Sequence, residues 1–148
     1  MNSLRMFSVA LAMSSASCLV QAAPAIPSEF HGRWAPVKDG DGVPYTAKQN
    51  KVHCSTGGHA QPNKSQGDEG SLGALKVSAK SVTYSLSEST VTFTPKAVKK
   101  QVPGYFVATS TVSAGGEWSV GSVELRRFDD KVEVASPYGT KTVYVRCK

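Results

Sequence analysis

His53, Cys54 and His59 form the tightest grouping of metal-ligating side chains in the chain. A structural zinc site would need Cys54 as a thiolate and a fourth donor at a fixed spacing. Asp68 and Glu69 are near these residues only along the sequence, so no metal ligand set is assigned and the histidines are read as solvated loop residues. A triad of His31, one of many serines and a carboxylate has no spacing to support it. G-x-S-x-G, H-E-x-x-H, a Gly-rich phosphate loop and C-x-x-C are all missing. Glu88, Glu117 and Glu124 are the carboxylates a glycosidic pair would draw on, yet each lies in or beside an alternating segment where an acid marks the wet face. No catalytic residue and no cofactor is therefore assigned.

Cys54 and Cys147 have a different chemistry open to them. The chain opens with Arg5 followed by a stretch of apolar and small residues from Met6 to Val20, the layout of an export leader, and it is too short and too rich in serine to stay in a bilayer as a helix. Val20-Gln21-Ala22 places cleavage after Ala22, with Ala23 the near alternative, leaving 23–148 as one domain that starts extended at Pro24 and Pro27. Cys18 is read as part of the discarded leader, because Ser15 stands where a lipidation signal has a large aliphatic residue. The two remaining cysteines of an exported chain are expected to pair. Their bond would close a loop of roughly ninety residues, contributing about 4 to 5 kcal/mol in the chain-entropy model.

The formal charge of +6 falls to +5 once Arg5 is lost with the leader. The bases are scattered; Lys99-Lys100 and Arg126-Arg127 are the adjacent pairs. Such an excess suits acidic surfaces rather than nucleic acid, which export also argues against. A sharper reading makes Arg126, Arg127 and Lys131 an interaction surface, together with the polar loop at 55–71, which has almost no apolar side chain to bury.

The elements that would hold these groups are strands. Phe30 to Trp34 forms the first structured piece, Lys38 to Gly42 a turn, and Lys51 to Cys54 a short extended piece. From Leu72 onward apolar residues alternate: Leu75 and Val77, then Val82, Tyr84 and Leu86, then Val91 and Phe93, with Pro95 expected to end that strand. Tyr105 to Val112, Glu117 to Phe128, Lys131 to Ala135 and Thr142 to Cys147 continue the series, with turns at Ala114 to Gly116, Asp129-Asp130 and Pro137 to Thr140. Trp118 and Val120 differ in parity from Val123 and Leu125, so Gly121 is expected to form a bulge. The fold class is all-β: a small antiparallel meander, a closed or partly closed β-barrel of about eight strands with one disulfide. Phe30, Tyr105 and Tyr144 read as core, and Trp34, Tyr84, Phe93 and Trp118 as core or as the lining of a ligand cavity.

Phe30-His31-Gly32-Arg33-Trp34, an early Cys54, Gly-Gly-Glu-Trp at 115–118 and the closing Tyr144-Val145-Arg146-Cys147 resemble a group of small exported proteobacterial proteins of uncharacterised function. That group opens with Phe-x-Gly-x-Trp and ends in Tyr-x-Arg-Cys. The resemblance implies a periplasmic or secreted protein and carries over no catalytic residues. Gly32-x-Trp34 also looks like the opening of lipocalin-type barrels, in which a tryptophan closes the barrel floor. A more distant likeness, in size, export and disulfide use, is to the small periplasmic β-barrel inhibitors of lysozyme, whose inhibitory loop has no match here.

The leading expectation is a non-enzymatic envelope protein that binds another protein, in an inhibitor-like manner. A carrier of a small apolar ligand or lipid in a lipocalin-like barrel is the second reading, and an envelope hydrolase the third.

Overall fold

A computed structural model describes residues 23–38, 42–56, 72–86, 89–135 and 141–148. The leader at 1–22, most of the 55–71 loop, the turn at Pro137 to Thr140 and Asp39 to Asp41 of the first turn lie outside the described residues. A short 3-10 turn, Ser28–Phe30, precedes β1 (Gly32–Pro36), and α1 (Ala47–Thr56) follows. The strands β2 (Leu72–Val77), β3 (Val82–Leu86), β4 (Ser89–Val102), β5 (Tyr105–Ala114), β6 (Glu117–Phe128), β7 (Lys131–Ala135) and β8 (Lys141–Arg146) follow among the described residues. Each strand pairs antiparallel with the next, and β8 pairs with β1, so the sheet closes into an eight-stranded barrel.

Closure follows from the period-two pattern. Phe106, Ala108, Ser110 and Val112 of β5 are buried while the residues between them are half-exposed, and Val132 and Val134 of β7 repeat this. A strand with one apolar face leaves its edges open unless the sheet meets itself. Short connections serve the same end: Gly115 and Gly116 both have positive φ, as the two-residue hairpin between β5 and β6 requires.

Three local expectations are corrected. Lys51 to Cys54 is helical, within α1. Thr46 and Gln49 form a capping box there: the Gln49 N–H donates to Thr46 Oγ1 at 3.3 Å, and the Thr46 N–H donates to Gln49 Oε1 at 2.8 Å. Pro95 does not end β4, which runs on to Val102. Pairing with β3 stops at Phe93, so Pro95 lies where β4 has only β5 beside it, next to a register shift between Pro95 and Ala97. Gly121 forms no bulge; β5–β6 pairing runs unbroken from Tyr105↔Arg126 to Ala114↔Glu117.

Candidate functional site

The barrel has a built floor. Trp34 is fully buried and its indole Nε1–H donates to the Phe30 carbonyl at 3.0 Å, which ties β1 back to the 3-10 turn. The Arg146 guanidinium lies over the indole, 4.5 Å from the ring centre, and Nη2 donates to the Glu29 carbonyl at 3.1 Å. Arg127 Nη1 donates to the same carbonyl at 3.2 Å, while Glu29 Oε1 accepts the Gly104 N–H at 2.9 Å. The 3-10 turn is thus held by β8, by β6 and by the β4–β5 turn. Gly32 enters β1 at φ +132°, a conformation that side chains rarely adopt, and this lets the chain leave the floor and turn upward.

Above the floor, Tyr84 and Phe93 stack across β3 and β4 with ring centres 5.8 Å apart, both buried. Tyr144 joins them from β8, and burial pushes its hydroxyl well above the ordinary phenol range, so it stays neutral. Of the four residues proposed to line a cavity, Trp34, Tyr84 and Phe93 are therefore in the buried core, but Trp118 is not. It pairs opposite Ser113 on the outer face and is 70% exposed. Because no bulge resets the parity at Gly121, Trp118 and Val120 point outward while Val123 and Leu125 point in. Tyr105, read as core, is likewise on the outer face and only half-buried.

The basic group also divides. Successive residues of a strand point to opposite faces, so Arg126 is exposed on the outside whereas Arg127 turns to the floor and the Glu29 carbonyl. Lys131, which alternates with the buried Val132, stands on the outer face with Arg126. The Arg127 guanidinium is thus engaged at the floor, while Arg126 and Lys131 share the outer face.

Cys54 and Cys147 are disulfide-bonded, with Cα atoms 5.5 Å apart. The bond fastens the end of α1 to the end of β8, and Arg33 Nη1 donates to the Cys54 carbonyl at 3.4 Å. Beside it His53 is buried against Tyr45, ring centres 4.7 Å apart and edge-on, and desolvation lowers its pKa. His59 lies outside the described residues.

No protein family, no curated protein and no solved structure matches this chain. Geometry alone has to speak for the site. Glu117 and Glu124 are seven positions apart on β6, about 23 Å at the strand rise, well beyond the spacing of a glycosidase pair. Sequence reasoning missed one cluster. Tyr105 hydrogen-bonds through its hydroxyl to Glu124, which raises the phenol pKa, and Lys100 Nζ lies 5.3 Å from the Tyr105 ring centre. The sequence marks these residues only as alternating; their meeting depends on the register of three strands.

Proposed function

We propose that this chain is an exported, non-enzymatic binding protein of the cell envelope, periplasmic or secreted, which engages a protein partner through the outside of its barrel. The observation that carries this reading is the exposure of two large apolar side chains on one face of β6, Trp118 at 70% and Val120 at 82%. Both cost solubility and neither helps to pack the core, so their burial against a partner would recover the apolar area now left in water. Tryptophan is also the side chain that most often dominates interface energetics, since it buries much area with few rotatable bonds. Export is supported by the disulfide, which persists in oxidising compartments. The test places a photo-crosslinking residue at 118, at 120 and, as a control, at 109 in cells that export the protein. A discrete adduct at 118 and 120 but not at 109, lost from position 120 when Trp118 is alanine, is expected. Equal labelling at all three positions, or none at 118 and 120, overturns the proposal.

The carrier reading draws on one observation. Above the aromatic floor, β5 and β6 turn small residues inward, with Ala108 and Ser110 fully buried and Gly121 opposite Ser110. Native mass spectrometry of the exported protein tests it: a small molecule lost on denaturation would favour a carrier, and the bare disulfide-bonded mass would remove that reading.

A further inference from the structure

Two cross-strand rows lie side by side on the outer face of the barrel. In one, Val102 of β4 stands opposite Tyr105 of β5, which stands opposite Arg126 of β6; in the next, Lys100 stands opposite Val107, which stands opposite Glu124. All of these but Val107, with Pro103, Gly104 and Arg127, line an open groove of about 470 Å³; the Arg127 guanidinium is engaged by the Glu29 carbonyl. Its charges are unequally engaged. Glu124 is diagonal to Tyr105 on the same face, and Glu133, across from Arg126 on β7, makes an ion pair with Lys141 at 3.7 Å. Among the described residues neither Lys100 nor Arg126 has an ion-pair partner.

We propose that this groove binds a singly charged carboxylate joined to a short apolar body, with the carboxylate between Lys100 and Arg126 and the apolar part on Val102 and Pro103. The two cations select an anion, and the planar fork of an arginine matches a carboxylate's two oxygens. Glu124 on the groove wall offsets part of the cations' attraction in the same proportion for any anion, so discrimination against phosphate falls to the apolar body that phosphate lacks. Val102 is 46% exposed, so an apolar ligand body finds a surface that gains by being covered. The chemistry is shared by two sources, the C-terminal carboxylate of a peptide ending in an apolar residue and a free short-chain acid.

The site stands apart from the Trp118 face. Arg126 and Trp118 are eight positions apart on β6, about 26 Å at the strand rise, so either proposal can fail without the other.

The experiment titrates the disulfide-bonded protein with N-acetyl-leucine, with hexanoate and with inorganic phosphate, following backbone amide shifts by NMR. Saturable shifts at Lys100, Tyr105 and Arg126 are expected with a carboxylate. Binding of N-acetyl-leucine alone assigns the peptide source, and binding of hexanoate alone the free acid. Lys100→Gln and Arg126→Gln should each weaken binding about three- to fivefold, as befits exposed charges, and together about tenfold or more, while Trp118→Ala leaves it unchanged. Both substitutions are at exposed positions, and the remaining amide spectrum reports that the barrel is intact. Phosphate binding as tightly as either acid, undiminished binding in the double variant, or no saturable shift with either acid overturns the proposal.

Discussion

Arg146 and Trp34 stand opposite each other across the seam between the last strand and the first, with the guanidinium 4.5 Å from the centre of the indole. The seam is where a meander becomes a barrel, and the same guanidinium reaches the carbonyl of Glu29 in the 3-10 turn. One side chain therefore links closure of the sheet to closure of its floor. The indole is shielded from water on that side by a cation, whose charge is attracted to the ring face.

Replacing Arg146 by alanine should cost about 1 to 2 kcal/mol, combining a partly exposed cation–π contact with one charge-assisted hydrogen bond. Arg146→Lys keeps the charge but loses the planar fork, and should recover less than half of that loss. Urea unfolding measures both. In a Trp118→Phe background the emission of Trp34 should shift to the red in Arg146→Ala; unchanged emission would show that the guanidinium does not shield the ring.

The two tryptophans should behave as opposites. Trp34 is fully buried, so Trp34→Ala is expected to cost about 3 to 5 kcal/mol. Trp118→Ala at an exposed position should stay within about 0.5 kcal/mol. Iodide quenching of the folded protein should be lost when Trp118 is replaced and kept when Trp34 is replaced by phenylalanine. Strong quenching of the Trp118→Phe variant would contradict the placement of Trp34 in the floor.

The alternation from Leu72 onward makes the barrel readable, because period two states which residues share a face. It does not state which face is inside. The apolar character of Trp118 and Val120 points them inward, which requires a bulge at Gly121 that the unbroken β5–β6 ladder does not have. α1 escaped notice because polar residues surround it and leave no stripe for a periodicity to detect; the Thr46-x-x-Gln49 box was its one available signal. Arg126 and Arg127 could have been separated from sequence, since neighbours on a strand cannot share a face. The groove at Tyr105 could not have been found in that way. Lys100 comes level with Val107 only after two register shifts in β4, one after Pro95 and one after Val98.

The buried His53 gives stability a pH dependence of known sign. Its folded pKa lies below the ordinary 6.5 because burial disfavours the charged imidazole. As pH falls through 6.5 the unfolded chain takes up a proton that the folded chain resists, so this residue's contribution to stability is lost from there downward, until the folded pKa is reached. The urea midpoint should fall between pH 7.5 and pH 5.5 by more in the wild type than in His53→Gln. Parallel changes in the two proteins would show that His53 is not desolvated.

The disulfide should act on α1 more than on the barrel. The helix spans ten residues and is polar on all sides, too short to persist alone in water. It packs on β1 and β2, and the Cys54–Cys147 bond and the Arg33 contact to the Cys54 carbonyl tie down its C-terminal end. The barrel, by contrast, is closed by its own β1–β8 hydrogen bonds and packed around its own apolar core. Cys54→Ser with Cys147→Ser should therefore lower global stability by up to about 4 to 5 kcal/mol, the chain-entropy value for a loop of this length. It should also release the helix in the folded state. Trypsin reports on the second effect: cleavage after the exposed Lys48 and Lys51 of α1 should accelerate in native buffer, while the strand lysines stay protected. Acceleration at every lysine alike would mean that the barrel itself depends on the bond, and unchanged cleavage in α1 would mean that packing on β1 and β2 is enough to hold the helix.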